Sequence, residues 1–335
     1  SETQSYILKK LNDQAMRRLR MFTRRYAWAN RVNAHLTRTI RDQYEARAKD
    51  YEHSEVLQNV LKSIPELPIY VTKLVQLLLN ENASVRDIAA LAKDDPSLTG
   101  QILKTVNSSL YGLSTKIADL NHAILYLGFN EVYQIVVAAG LLKTMPDTRE
   151  FQELHEHSMT ISHLAFEICE HYNKQKSSII STIAILHDIG KSVILLFRKQ
   201  NPQWSIFMEM LDPAKVGAML LTQWNIPEMV SETIELQDYP SFMPPSELPT
   251  RHADCVAILF LAQIGAGILE GDVLNPADYP FLRHYLKVLK LDDVAFTEFF
   301  ASKIIPALNN KARSIPAHLL SLVRNYHGEQ PGRTL

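Results

Sequence analysis

The feature that most restricts this chain is an apolar period of 3.6 residues, which recurs along its length with little glycine to interrupt it. No Gly or Pro precedes Pro65, and the 335 residues hold only 11 Gly and 16 Pro. Near the N-terminus, Leu8, Leu11, Ala15, Leu19, Phe22, Tyr26, Ala29, Leu36, Ile40 and Tyr44 follow one another at a mean step of 3.6, with Asn33 the one polar member of the series. That step is one face of an α-helix. Tight hairpins and phosphate-cradling loops both consume glycine, so a β-sandwich or a nucleotide-loop α/β fold would be poorly served by this composition. The expected fold is all-α.

Beyond residue 53 the same pattern predicts a series of short helices. Val71–Leu79 reads as a helix after the breaks at Pro65 and Pro68. Ser84 stands three residues before Asp87, a capping-box spacing that starts a helix through Lys93, and Asp95-Pro96 starts the next one. Helices are expected over 119–126 and 130–144 with Gly128 between them. Further helices are expected over 151–172, 179–187, 191–199, 213–224, 227–236 and 251–269. After Gly271 a Pro-punctuated tail should be helical over 281–289, 293–309 and 316–326. The pair 84–93 and 96–107 has helix-turn-helix spacing, but its second helix offers only Lys104 as a cation, and Asp94 and Asp95 lie where phosphate would approach. It reads as a structural pair.

Charge divides the chain. Residues 1–53 carry a net charge of +6 within a whole chain of −1, so a basic amphipathic arm precedes an acidic body. Arg17, Arg18, Arg24, Arg25, Arg31, Arg38 and Arg41 occupy the polar face of the arm. Without an aromatic ladder for base stacking, that face is expected to be solvated rather than to bind nucleic acid or anionic membrane. So long a helix is expected to lie across the body, break, or pair with a second chain, and a homodimer through the arm is one outcome. The run Cys255–Leu269 is short of the ~20 residues that cross a bilayer, and it reads as a buried helix. Two cysteines, Cys169 and Cys255, sit in apolar contexts without CxxC spacing, as in a reduced cytoplasmic protein.

The sharpest chemical signal is Leu186-His187-Asp188-Ile189-Gly190-Lys191, directly after the apolar run Ile179–Ile185. An adjacent His and Asp at the end of a buried helix direct two metal-type ligands into one pocket, and Gly190 is expected to let the chain turn sharply. His157 falls on the core-facing stripe between Leu154 and Ile161, with His155 and His163 pointing elsewhere. A buried imidazole needs a partner, and the His187/Asp188 pair could supply it. Tyr111, Phe129, Tyr133, Trp204 and Trp224 are expected in the core, and Glu232 and Glu235 face no evident acidic partner. No GxSxG elbow, P-loop or GxGxxG occurs.

Residues ~54–270 resemble the HDOD domain, the HD-related output domain of bacterial signalling proteins. The stretches that carry the resemblance are Ile64-Pro65-Glu66-Leu67-Pro68, Asp95-Pro96-Ser97-Leu98, Asn107-Ser108 with Tyr111, and Ala123 through Gly128. His157-Ser158, the HDIGK run, Val216-Gly217-Ala218 and Trp224-Asn225-Ile226-Pro227 complete it. The resemblance implies an all-helical domain related to HD metal-dependent phosphohydrolases, between the arm (1–53) and a C-terminal helical extension (271–335). It also maps a first metal ligand onto His157 and the His-Asp pair onto His187 and Asp188. The later Asp of such enzymes falls at or near Gln263, a poor ligand for a divalent cation. Two further positions where relatives often show His hold Pro213 and Gln237-Asp238. The expectation is therefore a signalling and interaction module with no catalytic residues and no cofactor, in which His157, His187 and Asp188 are a vestigial metal set. A signalling protein is the expected partner. The alternative is a mononuclear metal-dependent phosphohydrolase that uses those three ligands, with Lys191 on the substrate phosphate.

Overall fold

A computed structural model describes residues 55–78, 85–93, 96–107, 113–146, 148–204, 211–275, 278–312 and 315–326. The basic arm, Ser84, Asp95 and Tyr111 lie outside the described residues, as do the side chains of Phe129 and Trp204. Every regular element among the described residues is helical. In chain order these are α1 (Glu55–Ser63), α2 (Ile69–Leu78), α3 (Val85–Lys93), α4 (Pro96–Val106), α5 (Leu120–Leu127), α6 (Phe129–Thr144) and α7 (Arg149–Tyr172). There follow α8 (Ser177–Leu186), α9 (Ile189–Gln200), α10 (Pro213–Gln223), α11 (Glu228–Glu235) and α12 (Thr250–Glu270). The extension holds α13 (Leu282–Val288), α14 (Phe296–Phe299), a π-helical segment (Phe300–Ile304), α15 (Ile305–Asn310) and α16 (Ala317–Asn325).

Local chemistry sets several of these boundaries. Asp119 caps α5 by accepting the amide of His122 at 2.8 Å, and Gly128 ends the helix at φ 81°, where a side chain would be strained. Asp212 caps α10 by accepting the amide of Ala214 at 2.9 Å, with Pro213 in the first helical position. Gly271 closes α12 at φ 103° while the Asp272 amide reaches back to the Gly267 carbonyl.

Three buried helices form the centre. α7 packs on α8 and α12, and residues 160–169 of α7 are all buried. α8 is buried at every position but Ser178. Tyr133 and Trp224 are in the core as expected, and so are both cysteines, whose thiols burial pushes up from their usual range. Two segments, Lys174–Gln200 and Thr250–Glu270, are long and apolar enough to cross a membrane by composition. The protein itself buries 72% and 78% of their apolar windows. α12 covers the helix expected over 251–269 with one residue more at each end, and near its start Asp254 pairs with Lys176.

The extension docks on the same central helices, with α13 and α16 against α12 and the π segment against α7. The expected single helix over 293–309 is interrupted. Pro306 has no amide to give the Ser302 carbonyl, and the chain widens to a π turn in which the Ile305 amide bonds to the Phe300 carbonyl.

Candidate functional site

α7 carries His157, and the two-residue turn between α8 and α9 carries His187 and Asp188. Two links hold this turn in register with the core. The Ser162 hydroxyl on α7 donates to the Ser181 carbonyl on α8 at 3.0 Å, and the Gln237 amide donates to the His187 carbonyl at 2.9 Å. Gly190 also acts here, though not by turning the chain. It is the second residue of α9, with no positive φ. A Cβ at Gly190 would stand 1.8 Å from the Pro213 carbonyl oxygen and 2.7 Å from the Gly217 amide. The glycine is needed because the starts of α9 and α10 touch backbone to backbone.

The geometry fixes the state of His187. Its Nδ1 lies 2.7 Å from the Ala184 carbonyl, which can only accept, so Nδ1 carries the proton. Burial lowers the imidazole pKa and Asp188 opposes that shift, which leaves Nε2 as the ring atom that faces the cluster. That atom is buried, has no hydrogen-bond partner, and stands 3.3 Å from Asp188 Oδ1. His157 completes the cluster at the mouth. Its Nε2 is 3.8 Å from Asp188 Oδ2, with the side chain 35% exposed, and its ring centroid is 5.5 Å from that of His187. Desolvation and the neighbouring His187 hold it below the usual imidazole range. One ligand atom from each of His157, His187 and Asp188 falls within 4.8 Å of the others, so the three residues singled out in the sequence do converge.

Asp188 sits at the start of α9 but makes no capping bond to its backbone. Instead the Lys191 ammonium, one turn on, stands 2.9 Å from Oδ1 and 2.9 Å from Oδ2. Burial works against the carboxylate's charge, but His187 and Lys191 outweigh it and hold Asp188 below the ordinary range. The Lys191 side chain is half exposed and its charge is paired with Asp188.

Pro213, Gln237 and Asp238, where the family resemblance would place further histidines, also adjoin this turn. Pro213 packs on Gly190. Gln237 anchors the turn through its amide group and leaves its buried Oε1 without a partner. Desolvation and the adjacent Asp212 push the Asp238 carboxyl up to about 6. Gln263 lies within α12 and is only partly buried. The acidic group of α12 that acts electrostatically on His157 is Glu270, two turns further along. Glu232 pairs with basic groups rather than with a second carboxylate, namely Arg251 and, at 2.8 Å, the buried His252.

Two imidazoles and a carboxylate are donor types that suit zinc or ferrous iron, and the unpartnered Nε2 of His187 is what such an ion would take. The one carboxylate of the set is paired with the half-exposed Lys191 ammonium on both oxygens, so a divalent cation would have to displace that like charge to reach its anionic ligand.

A groove of about 470 Å³ opens beside the cluster, lined among others by Glu153, Leu154, His157, Lys191, Leu195 and Arg198. Neither the Lys191 contact nor the Gln237 anchor was evident beforehand. The i, i+3 spacing of Asp188 and Lys191 could have pointed to the first, whereas the second joins residues 50 apart.

The profile of the HDOD domain matches residues 64–240. A curated protein of Treponema pallidum without a characterised role is 24% identical over 191 residues, covering 52% of this chain; the match spans only 37% of that protein's length. Among solved structures, an HDOD domain protein of unknown function from Geobacter sulfurreducens superposes with a TM-score of 0.57 at 18% identity, over 79% of this chain and 96% of its own. A candidate signal transduction protein from Marinobacter aquaeolei gives 0.60 at 18%, over 86% and 66%. A candidate phosphohydrolase from Shewanella amazonensis gives 0.55 at 18%, over 81% and 99%. At these identities the structural likeness speaks for the fold alone.

Proposed function

Because the chain belongs to the HDOD family, we propose that it serves as a non-catalytic signal-transduction module whose helical surfaces engage a partner protein around a degenerate metal pocket. The observation that carries this reading is the committed carboxylate. Asp188 is bound on both oxygens by Lys191, and the positions that would enlarge the ligand set hold Pro213, Gln237, Asp238 and Gln263. With no acidic partner free to hold a cation, water activation has no source. The solved Marinobacter protein, described as a candidate in signal transduction, is consistent with that role. On this reading the module needs no cofactor and works in the cytoplasm, and its basic arm serves pairing of two chains rather than nucleic-acid or membrane binding. Sedimentation of the chain without residues 1–53 tests the pairing, since an unchanged oligomeric state removes the arm as the interface.

The test of the main reading is a phosphodiester hydrolysis assay with added zinc, manganese or iron. No metal-dependent cleavage is expected above that of the His187→Ala variant. Cleavage that needs the ion and disappears in His187→Ala would overturn the reading in favour of a mononuclear phosphohydrolase. The unpartnered Nε2 of His187 and the convergence of the three donor atoms within 4.8 Å are the observations on that side.

A further inference from the structure

We propose that the cleft between α1 and α10 binds a small anionic amphiphile, a molecule with one carboxylate, sulfonate or phosphate head on an apolar body. The cavity there measures about 580 Å³, within the range of pockets that enclose a small organic molecule. It shares no lining residue with the groove beside His157, so the proposal is independent of what the metal pocket does. Two helices make its walls. α1 contributes Leu61 and Lys62 from its last turn, and α10 contributes Lys215, Ala218, Met219 and Thr222, spaced as one face of a helix. The Gln223 amide joins the two by donating to the Leu61 carbonyl at 3.2 Å.

The chemistry of the lining selects the ligand. Leu61 and Ala218, 2% and 6% exposed, give the cavity an apolar base, and the half-buried Met219 adjoins it. Lys215 is 8% exposed, and a charge set that deep costs free energy unless an opposite one faces it. Glu235 brings the opposite charge to the same lining. Lys62 has no such counterpart. It is exposed at the edge of the cleft and forms no ion pair among the described residues. Two ammonium groups thus stand against one carboxylate around an apolar base. A ligand with a single negative head and an apolar body answers both features, its head toward Lys62 and its body over Leu61, Ala218 and Met219.

The experiment titrates the full chain with anilinonaphthalene sulfonate, an anion on an apolar body, and reads its fluorescence. One molecule should bind per chain, and the uncharged N-phenylnaphthylamine should bind more weakly. Lys62→Gln should weaken the sulfonate about fivefold, the upper end of what an exposed ion pair supplies, and leave the amine unchanged. Thr222→Glu, at an exposed position that the fold does not depend on, cancels the surplus charge and should weaken the sulfonate to a similar degree. Met219→Trp, which takes up the volume of the cleft, should weaken both dyes. Ile69 and Leu125 are 72% and 70% exposed and are the competing apolar sites for a dye, so Ile69→Gln and Leu125→Gln should leave the titration unchanged. Phenylbutyrate and phenyl phosphate, added against bound dye, tell a carboxylate site from a phosphate site by which of them displaces it at the lower concentration.

No saturable binding of the sulfonate would overturn the proposal, as would equal affinity for the charged and uncharged dyes. So would binding that is indifferent to Lys62→Gln and Thr222→Glu, binding lost in Ile69→Gln or Leu125→Gln, or displacement by neither competitor. None of these readouts involves a metal ion or hydrolysis, so they stand whatever the assay at His187 gives.

Discussion

Replacing Gly190 by alanine sets two effects of opposite sign against each other, and the structure decides between them. In an exposed helix the change would stabilise by about 0.5–1 kcal/mol, because glycine loses more backbone freedom on folding. At Gly190 the added methyl would lie 1.8 Å from the Pro213 carbonyl oxygen and 2.7 Å from the Gly217 amide. An ordinary contact needs more than 3 Å, so α9 and α10 must separate by over an ångström where Ile189 and Val216 are both buried. Overpacking of this kind costs about 1–3 kcal/mol and more when backbone must yield, and a gap of 0.5–1 Å forfeits a quarter to a half of each contact's dispersion energy. The net loss should be about 3 kcal/mol. In thermal unfolding that is a fall in midpoint on the order of 6–12 °C. Two other glycines calibrate the result. A Cβ at Gly217 meets neighbours at 3.2 Å, so Gly217→Ala should stay within about 1 kcal/mol of the parent. Gly100, inside α4, has nothing within 4 Å, and Gly100→Ala should gain the full ~0.5–1 kcal/mol. The reasoning fails if Gly190→Ala unfolds at or above the parent's midpoint, as propensity alone would have it.

Acid should destabilise the protein partly through His163, which is 6% exposed with an unpartnered Nε2 and whose pKa burial, helped by Lys311, lowers to about 3. Since the folded value lies below the unfolded one of ~6.5, its contribution is complete above pH 6.5 and shrinks as pH falls toward 3. At pH 5 about 2 kcal/mol should be lost. His163→Leu should flatten the pH–stability curve over that window, and an unchanged slope would exclude the residue. Lys311→Met should cost about 3 kcal/mol in denaturant unfolding by leaving the buried Glu167 carboxylate unpaired. The double variant Glu167→Leu/Lys311→Met should recover most of that, and no recovery would mean the pair is not the source. Gln237→Leu, which strips the His187 carbonyl of its donor, should cost about 1–3 kcal/mol; stability equal to the parent's would deny the anchor.

Much of the fold was legible locally. The helices expected over 151–172, 213–224 and 227–236 are observed as Arg149–Tyr172, Pro213–Gln223 and Glu228–Glu235, because the 3.6-residue apolar step and Pro at a first position act within a few residues. The convergence of His157 with His187 and Asp188 was legible too, since a buried imidazole demands a partner. The deep burial of His163 was not. The residues that cover it, Lys311 and His318, come from the extension about 150 positions away and bind Glu167 and Thr160 on the same helix.

By itself, then, the sequence determined the helical class, the position of most helices and the three donors of the pocket, all of which follow from backbone chemistry and short-range spacing. Only the tertiary structure decided what those donors face. The backbone contact that demands Gly190, the anchoring of the turn by Gln237, the clasp of Lys311 on Glu167 and the ammonium astride Asp188 depend on distances set by how helices stack. A local period reports which face of a helix is apolar, but not which charge on a neighbouring turn or element will arrive against it.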